Sequence, residues 1–203
     1  MFARYTTVRG DPNRLDHVID LVDGETRASV EASPGNRGFA VLTDVRGARL
    51  IGASYWESEE SLRDSEEALA HSRTAAAEGL GGDATVERFE LALGFRHTIP
   101  GRGALVRLTR CKIDPAHTEE GIVLTQEEIL PRMKGANGLA SYQLLVDRDS
   151  GAGMIVTAWE DAAGAEAFVT IAEQLRARAS DRVGIMFEQP QNWTMVRTTV
   201  QID

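Results

Sequence analysis

The chain has 203 residues, 42% hydrophobic and 26% charged, enough for one good core or two small ones. Its 22 Lys and Arg against 31 Asp and Glu leave a formal charge of -9, which argues against nucleic acid or an anionic membrane as partner, since both select for positive surface. It shows no apolar run of about 20 residues and no charged-then-apolar leader, and Cys111 has no second cysteine to pair with, so the expected compartment is the cytoplasm.

Phe2 to Arg9 alternates and is rich in β-formers, so it reads as a strand closed by Gly10. Asp11-Pro12 then opens a helix, because Asp caps free N–H groups and Pro at the first helical position has no N–H to leave unsatisfied. Leu15, Val18, Ile19, Val22 and Val30 form its apolar stripe, and Pro34-Gly35 ends it. Phe39 to Thr43 and Ala48 to Tyr55 read as an antiparallel hairpin around Asp44-Val-Arg-Gly47, with Gly47 expected at positive φ. Ser58, Glu59 and Glu60 place a cap and two carboxylates at the start of a second helix that runs to about Glu78. Gly79 to Gly82 breaks it, and Thr85 to Leu93 is the last strand of a βαββαβ unit.

The unit is then written again. Trp56-Glu57 recurs as Trp159-Glu160, a spacing of 103 residues that also carries Arg4 onto Arg107, Asp11-Pro12 onto Asp114-Pro115, Gly35 onto Gly138 and Asp44 onto Asp147. So long a period indicates two compact units in tandem and not a solenoid. They are assigned to residues 1–93 and 104–203, with 94–103 as linker. The second copy has strands at Leu105 to Lys112, around Leu139 to Val146, at Met154 to Trp159 and near Thr194 to Gln201, with a helix from about Ala162 to Ala179. Pro131 is expected to kink or end its first helix. Val183 to Asn192, longer than its counterpart, is expected to form a larger loop or an extra short strand.

A βαββαβ unit is an α+β, ferredoxin-like sandwich. Val106 and Leu108 are assigned to the helix side of their strand, leaving Arg107, Thr109 and Cys111 on the other face. Two such faces can cover each other, which predicts an intramolecular pseudo-dimeric α+β barrel made by one chain. Arg4 and Arg107 would then approach across its interior, to hold an anion or to pair with Glu87 or Glu90.

The segment Tyr55-Trp56-Glu57-Ser58-Glu59, within this doubled βαββαβ pattern, resembles the antibiotic-biosynthesis monooxygenase superfamily of dimeric α+β barrels, over nearly the whole chain as a fused pair. The resemblance implies a cofactor-independent monooxygenase acting on an aromatic phenol or quinol of polyketide type. Members with that activity carry an asparagine four residues before the tryptophan and a tyrosine six residues after it. Here those positions hold Gly52 and Ile155, and Leu62 and Ala165. Haem-degrading relatives use a strand-one asparagine, where Ala3 or Val106 stands. A second reading therefore stays open, a non-catalytic binding or structural protein that keeps the fold.

Comparison of the copies places the expected cleft in the first. Gly52, Ser54, Ser65 and Ser72 stand where the second copy has Ile155, Thr157, Phe168 and Leu175, so polar or small groups replace apolar filling. The candidate ligand-binding set is Tyr5, Ser54, Trp56, Ser65, Ser72 and Arg73, with Arg73 stabilising a phenolate, Ser54 and Tyr5 orienting it, and Trp56 as an apolar wall or a plain packing anchor. No catalytic residue is assigned. The helical phase of His17 and His71 points to solvent, and the four histidines lack metal-site spacing, so neither metal nor cofactor is expected. Cys111 reads as an inert strand thiol, and Gly101-Arg-Gly103 lacks the strand-before, helix-after setting of a dinucleotide loop.

Overall fold

A computed structural model describes residues 1–202. The first copy runs β1 (Phe2–Arg9), α1 (Leu15–Leu21), α2 (Arg27–Glu31), β2 (Asn36–Asp44), β3 (Arg49–Trp56), α3 (Glu59–Asp64), α4 (Glu66–Leu80) and β4 (Asp83–Arg96). The second runs β5 (Leu105–Lys112), α5 (Thr118–Leu124), α6 (Leu130–Lys134), β6 (Leu139–Asp147), β7 (Ala152–Trp159), α7 (Ala162–Ala167), α8 (Val169–Val183), β8 (Met186–Phe187) and β9 (Gln191–Thr198). The class is α+β, with two ferredoxin-like units in tandem, as the repeat implied.

The compact units differ from the sequence repeats by an exchange of strand ends. Unit 1 comprises residues 1–89, 101–103 and 193–201, and unit 2 residues 90–100 and 104–192 with Ile202. The sheet of unit 1 has the order β4-β1-β3-β2-β9, a ferredoxin order extended by the last strand of the chain. There Leu42 pairs with Met195 and Thr43 with Thr194, while Arg197 donates to Asp23 at 2.7 Å. In unit 2, the second half of β4 pairs with β6, Glu90 opposite Val146 and Phe95 opposite Tyr142, and the sheet continues through β7 to β5 and the short β8. Arg148 fixes that added strand with a 2.6 Å bond to Glu90. β4 thus continues to Arg96, through the start of the segment read as a linker. β8 is the extra short strand expected before β9.

Each unit packs its helices on one sheet face. In unit 1, Leu15, Val18, Val22 and Val30 meet Phe39, Leu50, Trp56 and Leu69; in unit 2, Ile122 and Met133 meet Tyr142, Trp159, Phe168 and Leu175. The first helix of each copy is interrupted at the same place by a widened π turn, Val22–Thr26 and Thr125–Ile129. Pro131 is therefore not the cause of the break, since the proline-free copy breaks too. It lies in the first turn of α6, where a missing N–H costs no α-helical bond.

Two local expectations need correction. Left-handed backbone at the first hairpin falls on Ala48, φ 48°, and its repeat partner is Gly151, φ 72°. Gly47 serves instead for close approach, since a Cβ there would lie 2.3 Å from the Asp44 carboxylate. The faces of strand one are also reversed. Arg107 pairs with Thr157 and Thr109 with Ile155, in register with Leu105 opposite Trp159, so these residues share the helix side, and Val106 and Leu108 are buried on the other. Hydrophobicity could not orient the strand because both faces are buried and the helix side carries the charge.

Candidate functional site

Between helices and sheet, each unit has a cleft with the same skeleton. In unit 1, Arg4, Ser54 and Phe39 form a row across β1, β3 and β2; in unit 2, Arg107, Thr157 and Tyr142 form the matching row across β5, β7 and β6. The tryptophan two residues on turns its indole Nε1–H back to the row's hydroxyl, Trp56 to Ser54 and Trp159 to Thr157, both at 3.0 Å. The arginines also take matching postures, Arg4 donating to the Leu62 carbonyl at 2.5 Å and Arg107 to the equivalent Ala165 carbonyl at 3.4 Å. Both tryptophans are buried, so each serves first to anchor its strand and set the hydroxyl.

What closes over the row differs. In unit 1, Arg4 donates to Ser65 Oγ at 3.0 Å and to Glu66 Oε2 at 2.9 Å, while Arg88 reaches Oε2 at 2.8 Å and Arg73 bonds Oε1. Burial lowers the Arg4 pKa to about 10, Glu66 opposing and the neighbouring Arg88 and Arg73 adding to the fall. Burial acts to raise the Glu66 carboxyl, yet the bonds from Arg88, Arg4 and Arg73 outweigh it and hold the group below its ordinary range. One carboxylate thus gathers three guanidinium groups at the mouth of the cleft.

Unit 2 keeps Arg107 and Arg176 but has Phe168 and Val169 in place of Ser65 and Glu66. Arg107 donates to Asn192 Oδ1 at 3.0 Å besides Ala165, and neither arginine has a carboxylate within salt-bridge distance among the described residues. Burial lowers the Arg176 pKa, Glu173 opposing and Arg107 adding to the fall. Apart from Thr109, Thr157 and Tyr142, the rest of the cleft is apolar, walled by Ile155, Trp159, Phe168 and Leu175. At its floor Tyr142 is 1% exposed, and its hydroxyl has no hydrogen-bond partner among the described residues. Burial, and after it the proximity of Cys111, pushes that phenol's pKa upward, so it stays a neutral donor.

The larger cleft is in unit 2, about 60 Å³ against about 40 Å³, the reverse of what side-chain size suggested. The space over Gly52 is already taken, as a Cβ there would stand 3.0 Å from Phe39 Cζ and 3.7 Å from Val22 Cγ1. Arg4 and Arg73, both bonded to Glu66, line what remains.

Of the residues chosen from sequence, Ser54, Ser72 and Arg73 line the unit 1 cleft together with Arg4. Ser65 is buried beside it and bonded to Arg4 and Leu62, and Trp56 lies behind Ser54. Tyr5 pairs with Ala53 on the opposite face, where its hydroxyl meets that of Tyr55, so it does not join the set. Arg4 and Arg107 turn to their own helices, Arg4 to Glu66 and neither to Glu87 nor Glu90. Tyr142 and Arg176 were missed. The signal for them was the same 103-residue shift, which sets Tyr142 against Phe39 and Val169 against Glu66. His17, His71, His97 and His117 are exposed, and among the described residues no group of three His, Cys, Asp or Glu side chains is placed to hold a metal ion. Burial, with Glu188 adding, raises the Cys111 pKa to about 11, which keeps the thiol protonated and weakly reactive. Among the described residues, no helix is long and apolar enough to cross a membrane.

Comparison with known proteins agrees with this architecture. The family profile of antibiotic biosynthesis monooxygenases matches residues 1–77. An uncharacterized protein of Mycobacterium tuberculosis H37Rv is 32% identical over 151 residues, 74% of this chain and 67% of that one. Among solved structures, an anthrone oxidase-like protein superposes with a TM-score of 0.71 at 16% identity, over 97% of this chain and 92% of its own. A Lactobacillus acidophilus protein assigned provisionally as a monooxygenase gives 0.70 at 12% identity, over 97% and 93%. At such identities the structures speak for the fold alone. The profile match, which spans the Trp56 segment, together with the doubled βαββαβ order places this chain in the antibiotic biosynthesis monooxygenase superfamily.

Proposed function

We propose that this monooxygenase-like protein binds an aromatic phenol or quinol in the helix–sheet cleft of unit 2. The observation that carries the reading is Tyr142, a buried hydroxyl without a partner on the floor of an otherwise apolar, aromatic-walled cleft. An unsatisfied buried hydroxyl costs about 1 to 3 kcal/mol, which a ligand oxygen placed there would recover. Trp159 and Phe168, with ring centroids 5.6 Å apart, supply a wall against which a flat ring packs. Unit 1 keeps a smaller version lined by Ser54, Ser72 and Arg73, with Glu66 closing it.

Cofactor-independent oxidation would use the substrate's own electrons. The ionised phenol is attacked by dioxygen, one oxygen atom stays on the ring carbon to make the quinone, and the other leaves as water with the two hydrogens lost by the phenol. Tyr142 would donate to the phenol oxygen, and the cations Arg107 and Arg176 would offset the negative charge held in the cleft. A second reading, binding without turnover, is favoured by Gly52 and Ile155 and by Leu62 and Ala165, which offer no side-chain hydrogen bond where phenol-oxidising relatives carry polar groups.

Oxygen uptake with 1-naphthol, whose free para C–H can take the inserted oxygen, read against the rate without protein and beside thermal shift with 1-naphthol and 1,4-dihydroxynaphthalene, separates these readings. Stabilisation with uptake, both weakened in Tyr142→Phe, supports oxidation. Stabilisation alone supports binding. No stabilisation by any phenol or quinol would remove the cleft as an aromatic site.

A further inference from the structure

The two copies are an internal experiment on charge. In unit 1 the arginine pair Arg4 and Arg73 converges on a carboxylate of the chain itself, Glu66, at the first residue of α4. In unit 2 both arginines persist, as Arg107 and Arg176 lining the cleft, while the carboxylate has become Val169 at the first residue of α8. Lone guanidinium groups are rarely kept half-buried beside each other without a counter-charge, because each raises the cost of the other. Glu173, on the same helix as Arg176, is exposed and forms no ion pair with it. Among the described residues, the one side chain that accepts from Arg107 is the neutral Asn192.

Resting on the reading of this cleft as an aromatic site, we infer that its ligand is an anion, a flat apolar body bearing a carboxylate or comparable oxyanion that takes in unit 2 the place Glu66 holds in unit 1. The geometry orders the ligand. Its charged end lies at Arg107 and Arg176, its rings run between Trp159, Phe168 and Leu175, and a second oxygen on the body is within the province of Tyr142. Planar guanidinium suits a carboxylate, since two N–H groups can meet two oxygens. The excess negative charge of the whole chain would not attract such a ligand, so selection rests on this local pair.

Isothermal titration of the intact chain with 2-naphthoate and with its neutral isostere 2-naphthamide tests the inference. Naphthoate is expected to bind at one site per chain at least about 10-fold more tightly than the amide, the equivalent of roughly 1.4 kcal/mol. Val169→Glu restores the internal carboxylate at a helix start, where acidic residues are tolerated, and should erase the preference while leaving amide binding in place. Arg176→Gln should do the same, and circular dichroism of both variants checks the fold. Equal affinity for acid and amide, or a Val169→Glu variant that binds naphthoate as the native chain does, would overturn the anion while leaving the aromatic cleft. Binding of neither probe would overturn both.

Discussion

Glu66 shows what one side chain decides. It is about one-third exposed, 36%, yet its two oxygens serve Arg4, Arg73 and Arg88, of which Arg4 is nearly fully buried. Glu66→Gln should destabilise the chain by about 1 to 2 kcal/mol near pH 7, less than the loss of a fully buried ion pair because solvent screens part of it. The sign with pH follows from a carboxyl whose folded pKa is depressed. Its contribution is complete above the unfolded value near 4.5 and fades as pH falls through the lower folded value, so melting curves of the native and Gln forms should converge in acid. A constant gap from pH 7 to pH 3 would show that Glu66 acts by packing and not by charge. Ala48 offers a second test at this scale. It holds φ 48° where the other copy has Gly151, so Ala48→Gly should stabilise by about 0.5 kcal/mol, strain relief outweighing the added backbone freedom of the unfolded chain. A lower melting temperature in that variant would mean that the buried methyl matters more than the strain.

At the scale of elements, β3 and the helix that follows set the cleft, and Gly52 is the point at which they can be tested. Gly52→Ile copies the second repeat, but its side chain must displace Phe39, so a cost of about 1 to 3 kcal/mol is expected. Titration with 2-naphthoate should be unchanged, because the unit 2 cleft is untouched. Loss of binding in a folded Gly52→Ile chain would move the site to unit 1. Alternation, caps and turns made the elements readable: Asp11, Ser58, Asp114 and Asp161 each accept a backbone N–H at a helix start. The π turns left no readable mark, since the apolar stripe passes through them. The cleft was half legible. Sequence identified which positions face it on β3 and α4, but side-chain size at Gly52 misled, because an aromatic ring from β2 occupies the space a small residue leaves. Strand β5 misled as well, since charge lies on its helix face and a buried apolar row on the other.

At the scale of the whole chain, the repeat is plain in sequence, whereas the exchange of strand ends is not, because pairing partners separated by some 50 to 160 residues leave no local pattern. The edge of β2 in unit 1 is covered by β9, with Arg197 to Asp23 and Thr199 to Glu31 as ties. A fragment of residues 1–93 therefore lacks its outer strand and exposes Val41 and Leu42 ladders. It should self-associate in sedimentation, and an equimolar fragment of residues 104–203 should return it to a one-to-one complex. A monomeric 1–93 fragment with a cooperative melt would show that the repeats fold independently. A crystal structure of the intact protein grown with 2-naphthoate tests whether unit 2 holds a cleft for an aromatic anion. The carboxylate is expected at Arg107 and Arg176 and the rings against Trp159 and Phe168; naphthoate seated beside Gly52 and Arg73 instead, or in neither cleft, would contradict this site.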